Sequence, residues 1–328
     1  MPSKLADLFL NSPHTIPMPI GVYAGLEITN ARVVDVVSNA QAQSEVILAL
    51  HERLQTAVLM TAMDLSVEAE MFGCQIRMDE DEIPTVIGRK MTSVEAIDGT
   101  SIPEPHSGRA KVQLQTVENL IRATKQPVLG STIGPFSLAG RLFGLTEILE
   151  LSITEPEILE KLLEKVTEFL IQYTLAFRSA GASGVIMAEP AAGLLSPRGL
   201  SRFSSKYINQ MSIDTCSRDF TIVYHNCGAK IVHLNKILEA GLEIYHFSRP
   251  MDILEALSRV DEKVILSGNL DPTNVFLTGS PELVRTKTLE LLEKTKAYPN
   301  FVISSGCDIP PHTPIENLDA FFDTVRGS

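Results

Sequence analysis

The stretch Phe220-Thr-Ile-Val-Tyr-His-Asn-Cys-Gly228 opens as an apolar, β-rich run and ends on a histidine, a cysteine and a glycine. A run of this length and composition predicts a buried strand. Phe301-Val-Ile-Ser-Ser-Gly-Cys307 repeats the arrangement, with a second cysteine just past the run. In a parallel α/β architecture the downstream ends of the strands share one face, so donors far apart in sequence can converge there.

Working outward from these two runs, similar short segments recur at Ile20–Ala24, Ala57–Met63, Val128–Ile133, Gly184–Ala188, Glu243–Phe247 and Val264–Ser267. With Thr221–Tyr224 and Phe301–Ser304 they make eight strands, separated by helical patterns. Eight βα units predict a (β/α)8 TIM barrel, one α/β domain over residues 1–328, with an open doubly wound sheet as the competing arrangement. The clearest helix spans Glu155–Arg178, where Ile158, Leu159, Leu162, Leu163, Val166, Phe169 and Leu170 hold helical spacing behind Thr154 as N-cap. Further helices are expected over Lys230–Ala240 and Pro281–Lys294. Residues 76–108, which contain Asp79-Glu80-Asp81-Glu82, keep neither period and predict an insertion after the second strand, a hairpin plus loop over the barrel mouth.

The chain has 328 residues, 28 basic against 40 acidic side chains, and a net charge of −12. That balance, without a Lys/Arg block, speaks against nucleic acid as a partner. Nothing approaches the roughly 20 consecutive apolar residues of a membrane span, and the first residues do not resemble a signal peptide, so a cytoplasmic protein is expected. In that compartment Cys74, Cys216, Cys227 and Cys307 are thiols, two of them free to hold metal.

An isolated His-x-Cys is more often a hydrogen-bonded histidine beside a buried thiol than a metal site. Here the strand period points His225 and Cys227 to one side and Asn226 to the other, and Gly228 and Gly306 flank the cysteines. One imidazole and two thiolates suit zinc, which in catalytic sites takes three protein ligands and keeps one position open.

These segments, with Tyr23-Ala-Gly-Leu26, Met63-Asp-Leu-Ser-Val-Glu-Ala-Glu70, Gly134-Pro-Phe-Ser-Leu-Ala-Gly140, Glu189-Pro-Ala-Ala-Gly193, Gly268-Asn-Leu-Asp-Pro272 and Ser305-Gly-Cys-Asp-Ile-Pro-Pro311, resemble the uroporphyrinogen decarboxylase superfamily. Within it they are most similar to the zinc-dependent corrinoid methyltransferases. The resemblance implies a TIM barrel with zinc on His225, Cys227 and Cys307. It also implies a methyl group moved between a corrinoid on a separate protein and a thiol or methylated small molecule. Where the coenzyme M enzymes carry a glutamate, this chain reads His246-Phe-Ser-Arg-Pro250, which offers His246, Glu189 or water for the fourth position. Asp64 and Glu189 are candidates for proton handling, and Tyr224, His246 and Asp308 for contacts with cofactor or substrate. Asp64 also falls where the decarboxylases place their essential aspartate, so a tetrapyrrole decarboxylase is the alternative enzyme. That alternative lacks support from Ile16-Pro-Met-Pro-Ile-Gly-Val-Tyr23, which has no arginine to grip propionates. A non-catalytic barrel that binds a corrinoid protein is the alternative of another class.

Overall fold

A computed structural model describes residues 2–327. Among the described residues there are nine strands: β1 (Leu59–Met60), β2 (Gln75–Arg77), β3 (Thr85–Ile87), β4 (Val128–Ile133), β5 (Gly184–Ala188), β6 (Thr221–Asn226), β7 (Ile244–Phe247), β8 (Ile265–Leu270) and β9 (Phe301–Ser305). Seven form one parallel sheet in the order β1-β4-β5-β6-β7-β8-β9, each pairing with the next in the chain. Every residue of β4, β5, β6, β7 and β9 is buried, because helices cover one face and the curled sheet covers the other. Seven of the eight expected strands are therefore present.

The first expected strand, Ile20–Ala24, is not one. The chain turns there through a 3-10 helix, Val22–Gly25, and runs into a short helix, Leu26–Thr29. Proline at 17 and 19 removes two of the N–H groups that a ladder needs. The segment before the turn still lies against β9: Met18 N–H donates to Ile303 O (3.0 Å) and Ile20 N–H to Ser305 Oγ (3.0 Å). The run is apolar because Ile20, Val22, Tyr23 and Ala24 are buried, a property that strands and buried turns share.

Helix Pro156–Ser179 follows its expected period, with Leu159, Leu162, Leu163, Val166, Phe169 and Leu170 buried. Its N-cap is Glu155 rather than Thr154, and no side chain bonds there. Helix Pro281–Thr295 starts as expected, Ser280 Oγ accepting from Leu283 N–H. The expected helix over 230–240 breaks into a 3-10 turn, Ile231–His233, a single α-turn, Leu234–Ile237, and another 3-10 turn, Leu238–Ala240. Between β1 and β4, the hairpin β2–β3 is antiparallel, with Ile76 opposite Val86. The chain after it is held to the helical layer by Lys90 and Met91 N–H, which both donate to Leu142 O (3.0 and 2.9 Å).

Alternation sorts the sheet into an inner and an outer face. Gly130 faces outward, since a Cβ there would meet the Phe177 ring of helix Pro156–Ser179 at 2.4 Å. Thr132, two residues on, faces the same way and donates to Glu68 Oε1 (2.8 Å), which also accepts from Ile133 N–H (3.1 Å). Glu68 Oε2 has no partner, and burial pushes the carboxyl up to about 7 from 4.5. A carboxyl whose pKa is raised by folding supports stability below its unfolded pKa and loses that support as pH rises through the folded value. The wild-type unfolding free energy, relative to Glu68→Gln, is expected to fall by about 3 kcal/mol from pH 4 to pH 8. Chemical denaturation across that range measures it, and parallel stability curves for the two proteins would refute it.

Candidate metal centre

Parallel register aligns the inward residues of neighbouring strands. His225 on β6 lies opposite His246 on β7, which lies opposite Ser267 on β8. Beyond the ends of β6 and β9 the chain turns, and the turns carry Cys227 and Cys307. One ligand atom each from His225, Cys227 and Cys307 lies within 4.8 Å of the others. His225 Nε2 is 3.5 Å from Cys307 Sγ. His225 is buried, and the two cysteines are partly exposed toward the open end.

The two sulfurs are hydrogen-bond partners. A hydrogen bond from Cys307 lowers the Cys227 thiol to about 7, and the same contact, with burial, raises Cys307. One thiolate is thus available near neutral pH before any ion arrives. One imidazole nitrogen and two sulfurs gathered around one point fit a zinc-sized ion.

The turns are tightly packed. A Cβ on Gly193, in the loop after β5, would lie 2.7 Å from the Gly228 carbonyl carbon, so the two loops touch backbone to backbone beside Cys227. A Cβ on Gly306 would lie 2.8 Å from Ser248 Oγ. Glycine is required at both places for close approach rather than for an unusual φ.

Other expected site residues take different positions. His246 is fully buried at the inner face, its Nδ1 2.8 Å from His225 Nδ1 and its Nε2 2.8 Å from Ser304 Oγ. Burial and the neighbouring His225 hold it well below the usual histidine pKa. Asp308 follows Cys307 directly, and burial with Cys307 alongside keeps its carboxyl well above the usual range. Tyr224 precedes His225 and so faces the other side of the sheet, where its hydroxyl accepts from Asn226 Nδ2 (2.9 Å). Glu189 also faces outward. Its carboxylate accepts from Phe136 N–H (2.8 Å), Ser137 N–H (2.9 Å) and Ser204 Oγ (2.9 Å), clamping the end of β5 to the start of helix Pro135–Phe143. Asp64 lies past β1, its Oδ1 accepting from Ser66 N–H (3.0 Å) and its Oδ2 bonded to Arg109.

Arg109 and Ser304 carry no local sequence signal as strong as a metal motif. Arg109 opens helix Gly108–Ala123, and its guanidinium binds Asp64, Glu70 and Ser66 Oγ at once. Ser304 could have been picked out by the inward alternation Val302, Ser304 within β9.

The family model described as uroporphyrinogen decarboxylase (URO-D) matches residues 20–328. The chain belongs to this family. It is similar to two kinds of curated member. It is 26% identical over 312 residues to a methylcobamide:CoM methyltransferase (MtbA) of Methanosarcina mazei, spanning 94% of this chain and 90% of that protein. It is 27% identical over 320 residues to a uroporphyrinogen decarboxylase of Pseudoalteromonas atlantica, spanning 91% and 87%. Among solved structures, a methyltransferase from Methanosarcina mazei superposes with a TM-score of 0.88 at 23% identity, over 98% of this chain and 97% of that one, and so shares the fold. No helix among the described residues is long and apolar enough to cross a membrane.

The Asp64–Arg109 pair is 0% and 8% exposed at its side chains. Removing one partner of such a pair strands a buried charge. Arg109→Met is expected to destabilise the protein by about 3–5 kcal/mol, and adding Asp64→Asn should recover part of the loss. Urea unfolding of the two variants tests this, and a loss under about 1 kcal/mol in Arg109→Met would show the pair to be dispensable.

Proposed function

We propose that the protein is a zinc-dependent methyltransferase that moves a methyl group between a corrinoid, supplied by a partner protein, and a thiol or methylated small molecule. The observation that carries this reading is the convergence of His225, Cys227 and Cys307 within 4.8 Å. Similarity to methylcobamide:CoM methyltransferases over nearly the full length supports it. Similarity to decarboxylases of the same family leaves a tetrapyrrole decarboxylase as the competing reading. The clustered thiols favour the first, because porphyrinogen decarboxylation has no step that requires soft metal ligands.

His225, Cys227 and Cys307 would hold the ion. When bound, zinc supplies Lewis acidity that lowers the pKa of a coordinated thiol or polarises an oxygen leaving group. The remaining tasks fall to the chain. Asp64, whose oxygens are held by Ser66 and Arg109 in the resting structure, is assigned in this reading to orient substrate or handle its proton. Asp308 presents a carboxyl one residue from a ligand. Glu189 has its oxygens taken up by Phe136, Ser137 and Ser204, so its contribution is to brace the neighbouring loops. Leu194 and Val232, 60% and 63% exposed on the loops after β5 and β6, give the open end apolar surface of the kind a partner protein covers.

Elemental analysis should find about one zinc per chain, lost in the Cys227→Ser, Cys307→Ser double variant. His225→Ala should weaken binding more than Asn226→Ala, since Asn226 faces away. In a methyl-transfer assay with methylcobalamin and a panel of thiols, Cys307→Ser should abolish turnover. Asp64→Asn should keep zinc and lose on the order of 10²–10⁴ in rate. Porphyrinogen decarboxylation that survives zinc removal, with Asp64→Asn as the fatal change, would overturn the proposal in favour of the decarboxylase.

A further inference from the structure

Three hydrogen bonds link the backbone at Met18 to His225. Ser304 Oγ donates to Met18 O (2.7 Å), His246 Nε2 lies 2.8 Å from the same Ser304 oxygen, and His246 Nδ1 lies 2.8 Å from His225 Nδ1. A carbonyl oxygen can only accept, and a serine hydroxyl has one proton. With that proton spent on Met18, Ser304 Oγ must accept from His246 Nε2–H. His246 Nδ1 is then the bare nitrogen of a neutral ring and accepts from His225 Nδ1–H. In neutral His225 the second nitrogen, Nε2, therefore carries a lone pair, and Nε2 is the atom 3.5 Å from Cys307 Sγ. We propose that Met18, Ser304 and His246 form a directional hydrogen-bond chain that fixes the tautomer of His225 and presents Nε2 as a ready donor to the metal.

The opposite direction is disfavoured by the fold. It would require Ser304 to donate to His246 Nε2, which leaves two oxygens, Ser304 Oγ and Met18 O, 2.7 Å apart with no proton between them. It would also place a proton on His225 Nε2, where it blocks coordination. Met18 O cannot readily swing away, because Met18 N–H is bonded to Ile303 O and Ile20 N–H to Ser305 Oγ. Proline on both sides of Met18 narrows the backbone further. Ser267, beside His246 in register, does not compete, since its buried hydroxyl makes no hydrogen bond among the described residues. Ser304 and His246 are thus positioning residues. The segment just before the expected strand Ile20–Ala24 supplies the acceptor at which the chain ends.

The metal half of this inference rests on the proposed function, whereas the tautomer half stands without it. The test is nitrogen NMR of the metal-free, full-length protein labelled at its seven histidines, which reads the protonated nitrogen of each ring. His225 is expected to be protonated at Nδ1 and His246 at Nε2. Ser304→Ala should scramble the His246 tautomer, raise the fraction of His225 protonated at Nε2, and weaken zinc by roughly 10–100-fold in a chelator competition. Ser304→Thr, which keeps the hydroxyl, should restore both. His225 protonated at Nε2 in the wild-type protein overturns the inference and needs no variant to fold. So does a Ser304→Ala protein with both tautomers unchanged. Wild-type protein with the expected tautomers that takes up no zinc supports the chain while defeating the metal reading, so the two fail separately.

Discussion

Parallel pairing in register brings the last inward residue of each strand to the same end of the sheet, and the chemistry of this molecule depends on that constraint. His225 meets His246 because β6 and β7 pair residue for residue. Cys227 and Cys307 meet because each lies just past the downstream end of its strand, β6 and β9. A slip of one residue in β6 would turn His225 outward into the helical layer and bring Tyr224 and Asn226 inside, exchanging an imidazole for a phenol and an amide. The apolar inner positions below the imidazoles, Val223 and Ile244 among them, hold that register, since the slip would bury the wrong set everywhere.

Buried polar groups on the two faces serve different ends. On the outer face, Glu68 and Glu189 are clamps. Each takes backbone N–H groups at the end of a strand or the start of a helix, and their burial raises both carboxyls. On the inner face and past the strand ends the groups form chains and pairs: Met18 to His225 in one direction, Asp64 to Ser66 and Arg109 in another. Glu68, with one oxygen unpartnered, carries the cost of a half-satisfied carboxyl, whereas Glu189 has both oxygens bonded.

Much of this was legible in the sequence. Seven strands and the meeting of His225, Cys227 and Cys307 announce themselves because β-branched runs ending in His, Cys and Gly are short-range signals. The first expected strand, Ile20–Ala24, is absent because an apolar run records burial, and Val22–Gly25 is buried as a turn. The helix over 230–240 kept its apolar period yet broke, because His233 Nδ1 accepts from Lys230 N–H and tightens the first turn. Glu189 looked catalytic from its place after a strand; the single residue by which it passes Ala188 sends it outward. Arg109 was invisible, since nothing near it announces that two carboxylates and a serine from another segment will surround its head group.

The contact between Gly193 and Gly228 bears on how such a protein can vary over generations. The loop after β5 adds no side chain to the cluster of His225, Cys227 and Cys307, yet any side chain at 193 would press on the backbone that carries Cys227. Lineages that drift in that loop are therefore filtered at a position with no chemistry. A search for tolerated variation around His225, Cys227 and Cys307 would find the neighbouring glycines as constrained as those three side chains, and the two loops free to change only together.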